Sequence, residues 1–150
     1  MNAYDSLTSN AVSGYSKPAG AVFTIGSAVG TLAASNNNPL STLLLSPSTA
    51  QKVTAFKLSA TNDGVRLYDV TLTGSFAGLS NFKITNDAGT VIATATTING
   101  ATGVVFSQIS NAPVVAKDTS ANYYVVADVD SSTNGGPVYI NVALAGTNIK

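Results

Sequence analysis

The chain contains no cysteine, histidine, tryptophan or glutamate, and each gap removes a class of chemistry. Without cysteine there is no disulfide framework, thiolate metal site or thiol nucleophile. Without histidine the usual general base and the commonest zinc ligand are missing. All seven acids are aspartates, and charged residues make up only 9% of the chain, against about 25% in an average globular protein. An aspartate dyad would still need a concave site to do acid–base work, which alternating exposed carboxylates do not suggest. The expectation is a protein that is not an enzyme, with no catalytic residues. The cations are spread singly and formal net charge is zero, so the basic stripe of a nucleic-acid binder is absent and nucleic acid is not an expected partner. No apolar run reaches the roughly 18 residues of a membrane-spanning helix, so no membrane span is expected. The first residues also lack the basic start and apolar block of a secretory signal, so an exported chain would have lost it or carry Met1 in its place.

What remains is a chain of 150 residues rich in Ser, Thr, Asn, Gly and Ala. That length suits one domain, able to bury about two-thirds of the surface its unfolded chain exposes. Its surface is built of hydroxyls and amides, a composition common in secreted bacterial surface proteins and fibre subunits. Near-zero net charge also removes the repulsion that keeps copies apart.

Residues 1–20 (MNAYDSLTSNAVSGYSKPAG) are polar and aperiodic, and read as an arm or linker before a β-domain over residues 21–150. From Ala21 onward, short alternating runs are separated by Asn, Asp, Gly, Pro and Ser, the pattern of a sandwich or barrel. Strands are expected at Ala21 to Ile25, Gly30 to Ser35, Ser41 to Leu45, Lys52 to Thr61, Val65 to Thr73, Asn81 to Thr85, Thr90 to Thr96, Val104 to Ile109, Asn122 to Asp130 and Val138 to Ala145. Leu40 to Leu45, apolar but short and hemmed by Pro39 and Pro47, suits a strand or one helical turn. The two-residue period turns Thr54, Phe56, Leu58 and Ala60 inward, then Tyr68, Val70 and Leu72, then Tyr123, Val125, Ala127 and Val129, and finally Val138, Ile140, Val142 and Leu144. Asn62-Asp63-Gly64, Asn86 to Gly89, Asn99-Gly100 and Asn134-Gly135-Gly136 supply the turns, because Asn and Gly tolerate positive φ.

From Gly30 to Pro39 (GTLAASNNNP) the chain continues through Lys52 to Asn62 (KVTAFKLSATN), Val65 to Thr73 (VRLYDVTLT), Leu79 to Ile84 (LSNFKI), Thr90 to Ala93 (TVIA), Val105 to Ile109 (VFSQI) and Val115 to Val129 (VAKDTSANYYVVADV). This order resembles the immunoglobulin-like repeats of large bacterial secreted and surface-layer-type proteins, which carry runs of the form KFxFxAT, VxLxxLTLT, LSNVKLY and VxKGxxxxYxVxADI. Asp118 stands where that pattern has glycine. The resemblance implies an all-β, immunoglobulin-like antiparallel sandwich with Greek-key connections. It further implies an extracellular, cell-surface role as spacer, adhesin, or lattice, pilus or filament component, with no catalytic set to carry over.

Four groups of residues invite a functional reading, each beside an ordinary one. Ala19, Ala21, Phe23 and Ile25 share one face of a run that follows the polar arm. Such a run completes its own sheet or is donated to a neighbouring subunit as a β-strand, which makes another copy of the chain, or another surface protein, the expected partner. Tyr124 and Tyr139, placed on outer faces, suit a platform for sugar rings, so a glycan is a second partner class; ordinary cross-strand packing is the other reading. Asp118, Asp128 and Asp130 offer oxygen ligands for calcium, the only cofactor considered, and equally serve as solvating charges that discourage edge aggregation. Lys52, Lys57, Lys83 and Lys117 raise an isopeptide crosslink to asparagine, but all sit on outward positions, where solvated lysines are the norm. No Asn-x-Ser/Thr glycosylation sequon occurs, and O-linked sugars stay open.

Overall fold

The computed structural model describes residues 27–40, 43–99, 103–131 and 139–143, the last stretch by its backbone. The described residues are all-β, in antiparallel sheets and without a helix. The first sheet runs β1 (Val29–Ala34), β2 (Ser48–Thr61), β10 (Ser120–Val129), β5 (Leu79–Asn86) and β6 (Val91–Thr94). The second runs β11 (Tyr139–Ala143), β4 (Val70–Ser75), β8 (Gly103–Phe106) and β7 (Thr97–Asn99), while β3 (Val65–Arg66) and β9 (Val114–Val115) form a small ladder of their own. Phe56 and Leu58 of β2, Phe82 and Ile84 of β5, Tyr123 and Val125 of β10, Val70 and Leu72 of β4, and Val104 and Phe106 of β8 lie in one buried cluster. Two sheets thus share a single apolar interior, consistent with a β-sandwich.

The alternation produces that interior. Phe56, Leu58, Ala60, Val125, Ala127 and Val129 are all buried, as the two-residue period requires. Full burial of each large apolar side chain contributes about 1.5–3 kcal/mol. Phe56 stacks on Tyr123 at 5.5 Å between ring centroids, and Phe76 meets Phe82 edge-on at 5.5 Å, packing worth about 0.5–1.5 kcal/mol per pair beyond area burial.

The expected Val65 to Thr73 strand is broken in two. Val65 and Arg66 pair with β9, and from Val70 the chain pairs with β8. Between them the Tyr68 carbonyl accepts the Ile109 N–H at 2.8 Å and Asp69 Oδ1 accepts the Gln108 N–H at 2.7 Å, so the chain changes partner here without leaving these backbone groups unpaired. Val70 and Leu72 are fully buried, and Leu67 fills the core at the break. The expected Ser41 to Leu45 strand is not formed over its described part: Leu43 to Leu45 are irregular, and only Leu44 packs against the core.

Turn chemistry follows the residues. Asn62 takes φ 71° and Gly89 φ 78°, as the Asn-Asp-Gly and Asn-Asp-Ala-Gly turns require. Asp118, standing where the resembling repeats have glycine, adopts φ 56°, a left-handed conformation that aspartate tolerates better than most residues. The strand expected at Ala21 to Ile25, the side chains of β11, and the Asn134-Gly135-Gly136 turn lie outside the described residues, as does Gly100 of the Asn99-Gly100 turn.

Candidate interaction edge

Among the described residues, β1 closes one side of the five-stranded sheet and pairs with β2 alone. The register decides which backbone groups face away. The Ser35 N–H donates to the Ala55 carbonyl at 3.3 Å, one step beyond the Ala34–Phe56 pair. Opposite residues in an antiparallel ladder alternate between pairs that exchange hydrogen bonds and pairs that do not. Counting back from Ser35, the main-chain groups of Ala33, Thr31 and Val29 point at β2, and those of Ala34, Leu32 and Gly30 point out of the open side. Gly30, Leu32 and Ala34 lie opposite the inward-facing Ala60, Leu58 and Phe56. Leu32 is therefore half-buried against the core, and Ala34, at the end of the strand, is exposed.

The run VGTLAA carries no charge or proline, and its register with β2 contains no bulge. Charges, prolines, bulges and shortness are the usual devices that blunt an edge. The neighbouring edges are blunter: β6 has four residues and a register shift against β5, and β7 has three residues.

Beyond Ala34, the described residues 35–40 and 43–47 belong to the connection between β1 and β2. Asn38 Oδ1 accepts the Ala55 N–H at 2.8 Å and the Thr54 hydroxyl at 3.1 Å, and the Ser46 hydroxyl donates to the Asp130 carbonyl at 2.6 Å. Held at both ends, the connection presents Leu40, Leu43 and Leu45 to solvent at 88%, 86% and 73% exposure. These three nearly bare leucines stand on the connection between β1 and β2.

The outer face of the same sheet is less open than the alternation suggests. Tyr124, expected to be exposed, is only 8% exposed. Its hydroxyl donates to Asp87 Oδ1 at 2.8 Å and accepts from Asn37 Nδ2 at 3.1 Å, while Lys52 Nζ sits 4.3 Å from the ring centroid. The hydrogen bond to the Asp87 carboxylate, more than any other influence, holds the phenol proton on and raises its pKa. Its ring is a packed hub under the Asn37 loop, so it offers no sugar platform. Tyr139 lies in β11 opposite Ser75, with its side chain outside the described residues.

The three candidate calcium ligands do not come together. Asp118 precedes β10 and Asp128 and Asp130 stand at its far end, so about 30 Å of extended strand separates them at the usual rise per residue. Asp118 Oδ1 accepts the Asn62 N–H at 3.4 Å. Asp128 accepts the Ala50 N–H and the Asn81 amide, each at 2.7 Å, and Asp130 Oδ1 accepts the Ser80 hydroxyl at 2.6 Å. The Ala50 N–H chiefly, with the Asn81 amide and the nearby Lys83 charge, holds the Asp128 pKa below the usual carboxylate value. Among the described residues no three aspartates form a metal-sized group.

No protein-family model, curated protein or solved structure matches the chain. Ala19, Ala21, Phe23 and Ile25 lie outside the described residues. The outward main-chain groups of Gly30, Leu32 and Ala34 escape a reading of the sequence, because alternation marks faces and says nothing of which strands pair. The only local signal was negative: a six-residue strand without a charge.

Proposed function

We propose that the chain is an extracellular, cell-surface structural module that self-associates through its sheet edges, as filament, pilus or surface-lattice subunits do, and that it performs no catalysis. The observation that carries this reading is the β1 edge: uncharged, free of bulges and unpaired among the described residues. Such an edge is a template for another strand, and retaining it is costly unless pairing is its purpose. An immunoglobulin-like arrangement with Greek-key connections is the finer fold in this reading. Support for it comes from the way the chain passes from one sheet to the other between β2 and β4, β4 and β5, β6 and β7, β8 and β10, and β10 and β11. Donation of the segment containing Ala19, Ala21, Phe23 and Ile25 is the route of association. The alternative, an adhesin or carbohydrate-binding module, loses its best residue with Tyr124 packed away.

The test is light scattering on purified protein over a concentration series, followed by negative-stain electron microscopy. Concentration-dependent oligomers, filaments or sheets support the reading. A monodisperse monomer retained on glycan arrays sinks it in favour of the binding module.

A further inference from the structure

We infer that the open side of β1 is the acceptor for residues 19–25 of a second copy, paired with the outward main-chain groups of Gly30, Leu32 and Ala34. This inference rests on the self-association reading and gives it a site. The lengths agree: six residues of β1 span about 20 Å and the seven residues of the segment about 23 Å at the strand rise. The chemistry agrees too, because AGAVFTI and VGTLAA are both without charge, so pairing desolvates no ion. With Ala19, Ala21, Phe23 and Ile25 on the core face, they continue the row that Gly30, Leu32 and Ala34 begin. Phe23 then covers the half-exposed side of Leu32.

The approach of the chain to β1 excludes the tightest fold-back, a two-residue reversal directly before the strand. The Ser27 carbonyl accepts the Asn62 amide at 3.0 Å, and Asn62 is one step beyond the Val29–Thr61 pair. The backbone thus reaches β1 already running beside β2. Ala28 does not adopt the left-handed conformation that a type I′ reversal at Ser27-Ala28 needs.

The experiment uses the full chain and two complementary variants. Ala34→Pro removes one outward N–H, at an exposed position whose N–H makes no bond to β2, and leaves the donor segment intact. Phe23→Asp spoils the donor and leaves the edge intact. Each variant alone should assemble at least about tenfold more weakly than the wild type by light scattering, whereas an equimolar mixture should give a one-to-one dimer. Ala34→Lys, which keeps the N–H and puts a charge in the path of the incoming apolar row, should match Ala34→Pro and covers the case in which proline disturbs folding by circular dichroism. If both Ala34 variants assemble like the wild type, the acceptor lies elsewhere and this inference is overturned, with self-association intact. If the wild type is itself a monomer at millimolar concentration, the self-association reading fails. If, in addition, Phe23→Asp accelerates amide exchange in β1, the segment lies on its own edge.

Discussion

Replacing Tyr123 by phenylalanine removes a hydroxyl that is sealed in the core and has no hydrogen-bond partner among the described residues. Tyr123 is 0% exposed, and its ring is held by the stack on Phe56 at an interplanar angle of 27°, a contact that does not involve the oxygen. In the unfolded chain the same hydroxyl is hydrated, so folding incurs the cost of stripping that water, about 1–3 kcal/mol for an unsatisfied group. The variant avoids this cost and leaves a void smaller than a water molecule, roughly 10 Å³. At about 24 cal/mol per Å³ the void costs only about 0.2 kcal/mol. Tyr123→Phe should therefore stabilise the fold by about 1 kcal/mol. In urea the midpoint should rise with unchanged slope, and the thermal midpoint should rise by about 2–4 °C. Burial also raises the phenol pKa. A group whose folded pKa lies above its unfolded value contributes stability that is complete below the unfolded value, about 10, and lost as pH rises through the folded one. The wild type should thus lose stability more steeply than the variant in alkali. A loss of more than about 1 kcal/mol on substitution would show that the hydroxyl has a partner, and the reasoning would be refuted.

Two glycines with positive φ should answer differently to alanine. At Gly103, φ 120°, a Cβ would meet the Leu72 carbonyl oxygen at 2.1 Å, so Gly103→Ala should cost about 3 kcal/mol or more by calorimetry, from backbone strain plus overpacking. At Gly89, φ 78°, a Cβ would meet nothing within 4 Å, and only the left-handed penalty of about 1–2 kcal/mol should appear. Asp128→Asn should flatten the acid limb of the stability profile. Because the folded pKa of Asp128 is depressed, its contribution is present above about pH 4 and lost as pH falls through the folded value, so acid unfolding of the variant should show less of that loss. Tyr124→Phe removes the link between Asn37 and Asp87, and should speed amide hydrogen exchange at Asn36 to Asn38 while β10 stays protected.

The period-two pattern was legible wherever a strand buries one face. Phe56, Leu58, Val125 and Val129 sit where alternation puts them, because a slip of one residue would turn the whole set to water. It misled at Tyr124 and Val126, each 8% exposed, since an outward position in a central strand is exposed only if nothing crosses above it. The loop that covers Tyr124 is assembled by Ser35, Asn37 and Asn38 from bonds to partners as far as 87 residues away, which no local window reveals. The run from Leu40 to Leu45 reads as a strand or one helical turn because its composition is apolar. Among the described residues of that run, Leu44 is the one that packs against the core, while the connection is anchored at Asn38 and Ser46. The break at Leu67 was hidden because Val65 to Thr73 has strand-like composition throughout, and only the partner changes.

Scarcity of charge links the way this fold holds its loops to the way it meets another copy. Among the described residues, surface segments are tied by asparagine amides as well as by aspartate carboxylates that accept from backbone and side-chain donors. Asn38 accepts from Ala55, Asn62 donates to Ser27 and Asn86 accepts from Thr90 at 2.9 Å. Exposed ion pairs contribute about 0–1 kcal/mol and are screened by salt, whereas bonds between neutral groups carry no net charge for salt to screen. The same choice leaves β1 without a lysine to guard it and leaves copies with no net charge to repel one another. Pairing along Gly30, Leu32 and Ala34 would then draw on main-chain hydrogen bonds and apolar contact alone. As the Debye length shrinks from about 10 Å at 0.1 M to about 3 Å at 1 M salt, an association steered by charge weakens, and one built this way does not.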